Sequence, residues 1–302
     1  YNFIAVVAQV GRLMRPHSPS YAARCSSAAE KAWAWAVKNP GVLFSGSITN
    51  SAGVTLGTGW YDVGKVEDLS QPRFFAAMEL VRLTGSDRFV SANDLAAWTS
   101  SVPSWGVQDW GQNGMLGAYA LALKPSEFPA RLANLAKSAG SLVTTQASNQ
   151  KTKARNGYGI PMWGFPLEAN SFYWGSNGAL ANKGVVLMNQ WRTTGDSACL
   201  RTAQTIFDYL LGRNPMNISF VTGSPAISAT DTSHHYFMHP HHRQSTSDNV
   251  VEPVPGYLSG GANTSAQDPC SNLWLNTTRP AMSWIDDQCS YASNEIAINW
   301  NG

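Results

Sequence analysis

Two stretches far apart in the chain end a helix in the same way. They are Arg82-Leu83-Thr84-Gly85-Ser86-Asp87 and Arg192-Thr193-Thr194-Gly195-Asp196-Ser197. Each passes from a last helical turn through Thr-Gly into an acidic turn that opens the next helix. Glycine at that place supplies the left-handed conformation that closes a helix. The pattern is an αα-hairpin used twice. A chain built on such units buries helix against helix, so the predicted class is all-α. Paired helices with long irregular stretches between them fit an α/α toroid, its loops gathered at one end. The intervening stretches are too long and irregular for an α-solenoid.

Apolar spacing and breakers place the other elements. Residues 2–14 read as an amphipathic helix. Ser18-Pro19 opens a second, which passes Tyr21, Cys25, Ala29, Ala32 and Ala36 at helical spacing and stops at Asn39-Pro40. Residues 41–69 are rich in Gly, Ser and Thr and read as a long loop. Ser70 and Pro72 open a helix that Gly85 stops, and another follows over 87–99 with Phe89, Leu95 and Trp98 inward. Residues 112–123 form a small-residue helix. Ser126 or Pro129 begins the next, through Leu132, Leu135 and Leu142. Residues 148–176 read as irregular, 179–193 and 197–211 as helices, 213–282 as aperiodic, and a last helix lies around Glu295. Loops of that length in a compact domain are usually functional.

Only 13% of the 302 residues are charged and the formal net charge is +2. That excludes a polyanion-steering surface and argues against nucleic-acid binding. No apolar run is long enough to span a bilayer. The chain opens on Tyr1, without Met or a signal peptide, and so reads as a processed or truncated product. Among the four cysteines there is no CxxC pair. Cys270 and Cys289 flank a Trp-rich stretch and are candidates for a disulfide, whereas Cys25 and Cys199 sit in helical patterns as buried thiols. Asn217, Asn263 and Asn276 each begin a glycosylation acceptor triplet.

The closing stretch holds the acid chemistry. Glu295 precedes Ile296-Ala297-Ile298, Asp286 and Asp287 lie just upstream, and Trp284, Tyr291 and Trp300 frame them. Burial beside an apolar run raises a carboxyl pKa, which suits a general acid near neutral pH. Carboxylic acids among aromatic rings are the groups of a sugar-cleaving site, and the 12 tryptophans fit a carbohydrate cleft. Packing in the core is the plain alternative for those indoles. Five of the six histidines fall at 234–242. With no HExxH and no cysteine at ligand spacing, His239, His241, His242 and Arg243 read as a hydrogen-bonding platform for sugar hydroxyls rather than a zinc site.

Several ordered motifs together resemble glycoside hydrolase family 9, the cellulases of endo-β-1,4-glucanase type. They are 209–223, Pro240-His241-His242-Arg243, the run Pro255-Gly256-Tyr257-Leu258-Ser259-Gly260-Gly261-Ala262-Asn263, and the C-terminal pattern Trp284-x-Asp286-x4-Tyr291-x3-Glu295-x-Ala297-x3-Asn301. Trp174-Gly175-Ser176-Asn177 and Tyr158-Gly159-Ile160-Pro161 are similar to further family segments, and the resemblance covers the whole chain. It implies an (α/α)6 toroid that hydrolyses β-1,4-glucosidic bonds of cellulose or related β-glucans with inversion, outside the cell and without a required cofactor. Glu295 carries over as the general acid, Asp286 as the accompanying carboxylate, and His241 as the third active-site residue. Arg243, His242, Trp174 and Tyr158 carry over as substrate-binding residues. The implied partner is a β-glucan, with no nucleic acid and no membrane.

Two departures stand out. Residues 224–238 are longer than the family pattern and contain His234-His235, which leaves endo or exo cutting open. The family's Asp-Ala-Gly-Asp motif, the source of the catalytic base, does not occur. Trp60-Tyr61-Asp62-Val63-Gly64-Lys65 is the nearest stretch, but Lys65 stands where the second Asp belongs. The expectation is therefore one catalytic-domain portion whose N-terminal segment is absent, either packing against that segment of the same protein or belonging to a longer chain. A non-catalytic carbohydrate-binding or inactive fragment is the alternative. Glu67, Asp68 and Asp109 offer hard oxygen donors for a structural calcium ion; solvated or capping acids are the simpler reading.

Overall fold

The computed structural model describes residues 1–42, 47–57, 69–104, 106–109, 111–155, 159–162, 171–223, 253–276, 278–287 and 289–301. These divide into two compact units. One comprises 1–105 and 112–142, the other 106–111 and 143–302.

In the first unit, α1 (Asn2–Met14) lies on α2 (Pro19–Lys38) through small residues. Ala5, Ala8, Ala22 and Ala29 are buried, and a Cβ on Gly11 would stand 3.2 Å from Cys25 Cβ. α3 (Ser70–Thr84) is buried from Phe74 to Val81, so it is the central helix of the unit. It packs on α1 and on α5 (Gly114–Leu123). Burying α3 also buries Glu79, at 1% exposure, and the chain answers with two guanidinium groups: Arg12 at 3.2 Å and Arg82 at 3.5 Å. A buried carboxylate is tolerated when paired in this way.

Two sequence expectations are corrected in this unit. The loop over 41–69 contains a small antiparallel hairpin, β1 (Ser47–Thr49) and β2 (Thr55–Gly57), with Ile48 opposite Leu56. The side chain of Asn50 accepts from the amides of Ala52 and Val54 and so forms the turn. The helix expected over 87–99 is a 3-10 turn at Asp87–Phe89 followed by α4 (Ala92–Ser100). The break comes from a capping box in which Ser91 and Asp94 bond each other's backbone amides. Phe89 and Trp98 are buried as expected.

α6 (Ala133–Ala154) begins in the first unit and ends in the second. It extends into 148–154, which the sequence reading left irregular. Gln150, Lys151, Lys153 and Ala154 are good helix formers, and no breaker occurs before Gly157. In the second unit α7 (Ser176–Thr194) and α8 (Ser197–Leu210) form a helical hairpin.

The repeated Thr-Gly stop works alike in both units. Gly85 has φ 72° and Gly195 φ 74°, and each donates its amide to the carbonyl four residues back at 2.7 Å. Thr84 and Thr194 each donate a hydroxyl to the carbonyl four residues earlier, at 2.8 and 2.7 Å, and accept from the amide two residues later. The αα-hairpin read from the two hexapeptides is thus repeated atom for atom.

After α8 the described chain is mostly loop, with the short helices α9 (Ser271–Trp274), α10 (Tyr291–Asn294) and α11 (Ile298–Asn301). Phe220 and Trp284 form an edge-to-face pair at 5.3 Å at its centre. Cys270 and Cys289 form the expected disulfide, and Cys25 and Cys199 are buried free thiols. Trp33, Trp98 and Trp284 are core residues, so part of the tryptophan content serves packing.

Candidate active site

The site is assembled by three loop segments of the second unit, 174–177, 255–263 and 284–295. Asn177, at the start of α7, donates its backbone amide to Gly260 O at 2.9 Å and its side-chain amide to Ser259 O at 3.1 Å. Ser176 Oγ donates to Ala262 O at 2.7 Å. Gly261 sits at φ 97°, and a Cβ there would lie 2.5 Å from Asn177 Cγ, so only glycine fits.

The same glycine loop holds the last segment. Gly260 N donates to Glu295 O at 2.9 Å and Gly261 N to Ser293 O at 2.8 Å. Asn263 donates its side chain to Ala292 O at 3.1 Å. Asn263 is fully buried, so one of the three glycosylation triplets is closed to modification.

The turn before Glu295 has its own anchor, a buried carboxylate that sequence reasoning missed. Asp268 accepts from Ser290 Oγ (3.1 Å), Ala292 N (3.0 Å) and Cys270 N (3.0 Å). Nothing in its local sequence marks it, because its three donors converge only in the fold.

Glu295 is not inside a last helix. It ends the single turn of α10, with φ −54° and ψ 145°, and α11 starts afresh at Ile298. The apolar burial expected from Ile296-Ala297-Ile298 is not its environment, since Ile298 is 92% exposed. What meets the carboxylate is Trp174, whose Nε1–H donates to Glu295 Oε2 at 2.6 Å. The Trp174 ring lies 5.7 Å from that of Tyr291, tilted by 35°.

Asp286 is half-buried on the same segment. Asn294, next to Glu295, donates its side chain to the carbonyls on either side of it, those of Ile285 and Asp287. Trp284 is buried and donates to Ser259 Oγ at 3.0 Å, which ties the segment to the glycine loop. Trp300, on α11, supports the site from behind. Its Nε1 donates to Leu258 O at 3.1 Å, and its Cβ stands 2.2 Å from where a Cβ on Gly178 would be. Asn301 completes the hold by accepting from Leu258 N at 2.7 Å.

Tyr173 donates to Asp109 Oδ2 at 3.3 Å, and its hydroxyl is pushed up to about 12 by burial and by the charge of Asp109. Lys183 on α7 donates to Pro161 O at 2.9 Å, and burial lowers its ammonium to about 8.

Of the residues predicted from sequence, the structure brings Glu295 and Trp174 into direct contact and sets Asp286 on the segment pinned beside them. Asp109 lies near Trp174, lining a small cavity with Gly178, Asn182 and Trp300. Tyr158, His241, His242, Arg243, Asp62, Glu67 and Asp68 lie outside the described residues. Cys270, Asp287 and Cys289 bring potential ligand atoms within 4.8 Å of one another, but the disulfide uses both sulfurs.

Comparison with known proteins gives one family. The profile of glycosyl hydrolase family 9 matches residues 1–302. A xyloglucan-specific endo-β-1,4-glucanase of Bacteroides ovatus is 33% identical over 99% of this chain and 49% of its own length. Endoglucanase D of Acetivibrio thermocellus is 29% identical over 99% of this chain and 42% of its own. Among solved structures, a zinc-binding triple mutant of the family 9 endoglucanase J30 superposes with a TM-score of 0.80 at 27% identity, covering 99% of this chain and 51% of that one. The chain therefore spans about half the length of the relatives it matches, and its fold is of the (α/α)6 class expected.

Proposed function

The chain belongs to glycosyl hydrolase family 9, and from that premise we propose that it carries the acid side of an inverting β-1,4-glucan hydrolase. The observation that supports this most is the convergence of three separated motifs on one carboxylate. Trp174 reaches its Oε2, Gly260 holds its backbone carbonyl, and Tyr291 opens the turn that presents it.

In this reading Glu295 gives its proton to the glycosidic oxygen as the C1–O bond breaks. Water adds to C1 from the opposite face and loses a proton to a carboxylate base, which for inversion stands roughly 6.5–9.5 Å from the acid. We assign the base to sequence outside this chain, in keeping with a match to only half of each relative, and leave Asp62 as the internal candidate. Asp286 lies beside the acid as the accompanying carboxylate. His241, His242 and Arg243 bind sugar hydroxyls, and Tyr158 contributes a ring to the cleft. The reaction uses no cofactor; Glu67, Asp68 and Asp109 are the candidate ligands of a structural calcium. The substrate is a β-glucan, and the protein acts outside the cell as a single catalytic domain, consistent with the Cys270–Cys289 disulfide.

Proton NMR of a soluble β-1,4-glucan digested by the full-length protein tests this reading. The first product signal is expected to be the α-anomer, with the β-anomer appearing later by mutarotation. A β-anomer first contradicts inversion. Saturable binding with no product contradicts hydrolysis and supports the carbohydrate-binding alternative.

A further inference from the structure

We propose that Trp174 is the positioning residue of the general acid, holding Glu295 so that the transferable proton sits on Oε1. This rests on the reading of Glu295 as the acid and deepens it.

An indole N–H can only donate. Its acceptor here is Glu295 Oε2, at 2.6 Å, the short end of the hydrogen-bond range. In a protonated carboxyl group the carbonyl oxygen is the better acceptor and the other oxygen bears the hydrogen. The bond from Trp174 therefore selects Oε2 as the carbonyl oxygen and leaves the O–H at Oε1. It also stays in place when Oε1 has given up its proton, because Oε2 is an acceptor in both states. The carboxylate formed as the leaving group departs is met by a donor that needs no reorganisation.

The surrounding contacts fix this bond from both sides. Asn177 N bonds Gly260 O and Gly260 N bonds Glu295 O, each at 2.9 Å, so one residue couples the backbones that carry the two side chains. On the Glu295 side, Tyr291 packs on the Trp174 ring one turn before the carboxylate. On the Trp174 side, the chain turns at Gly175 with φ 86°, and the Trp300 ring fills the space where a Cβ on Gly175 would stand, 2.9 Å away. The indole has one orientation available, and in it the N–H faces the acid.

A ring that merely stacks on a sugar and a ring that positions an acid give different kinetics. The full-length protein is compared with its Trp174→Phe and Glu295→Gln variants on two substrates. One is a soluble β-1,4-glucan, whose alcohol leaving group needs a proton. The other is 2,4-dinitrophenyl β-cellobioside, whose phenolate leaves without one. Trp174→Phe keeps an aromatic ring against Tyr291 and lacks only the donor. It is expected to lower kcat on the glucan roughly 10–100-fold, part of the range a general acid supplies. KM should be little changed, and the loss on the dinitrophenyl substrate should be less than about threefold. Glu295→Gln should show the same leaving-group pattern more strongly.

Equal losses on the two substrates, or a raised KM with kcat unchanged, would overturn the proposal, since a structural or stacking role moves both alike. Glu295→Gln retaining wild-type activity on the glucan would instead overturn the acid reading itself. Should Trp174→Phe fail to fold, the indole N–H resonances decide. One low-field resonance of the wild type is expected to move upfield in Glu295→Gln, and the absence of any responding indole would overturn the contact.

Discussion

At the scale of single residues, the acid site depends on groups that make no chemistry of their own. Asp268 is the sharpest case. Its carboxylate collects three donors, two of them from the turn that leads into Glu295. Replacing it with alanine leaves buried N–H and O–H groups without a partner, each costing about 1–3 kcal/mol. Asp268→Ala is therefore expected to lower the thermal midpoint of the full-length protein measurably and to lower kcat on β-glucan, because the turn presenting Glu295 loses its anchor. An unchanged midpoint in calorimetry would show that the turn is held by the disulfide and the glycine loop alone. The role of Glu295 itself was legible from its spacing to Tyr291 and Asp286. Its surroundings were not. The sequence Ile296-Ala297-Ile298 reads as a buried apolar run, yet Ile298 faces solvent and the partner of the carboxylate comes from residue 174. Such a contact leaves no trace in local sequence, because neither residue constrains the composition around the other.

At the scale of elements, the breakers fixed the helices well. Gly85 and Gly195 end α3 and α7, and Ser18-Pro19 opens α2, each where the sequence puts it. The misplacements have local causes. The Ser91–Asp94 capping box divides one expected helix, an Asn50 turn makes a hairpin within a Gly- and Ser-rich loop, and a run without breakers extends α6 to Ala154. The start of α8 also makes a test. Asp196 caps it by accepting from Ala198 N at 2.9 Å, and takes Lys151 Nζ from α6 at 2.5 Å. The bond from Lys151, then that from Ala198, holds the Asp196 carboxyl down at about 2, below its ordinary 3.8. A carboxylate with a depressed folded pKa stabilises the fold above its unfolded pKa, and that contribution is lost as the pH falls from 3.8 through about 2. Thermal midpoints measured across that window should fall more steeply for the wild type than for Lys151→Met. Superimposable curves would mean that this exposed pair contributes nothing to stability.

At the scale of the whole molecule, low charge, a net charge of +2 and an abundance of tryptophan agree with a chain that binds neutral polysaccharide. Among the described residues no helix is long and apolar enough to cross a membrane. The family was legible from the order of the motifs, and the match over residues 1–302 bears it out. The catalytic base was not legible, because the carboxylate that activates water is set by its distance across the cleft rather than by its neighbours in sequence. The account therefore stands on the acid. Its most direct test is the rate at which the full-length protein hydrolyses a soluble β-1,4-glucan, compared with its Glu295→Gln variant at the same pH. A general acid supplies about 10²–10⁴-fold, so a loss of that size with KM retained is the predicted result. Equal rates for the two proteins would contradict it.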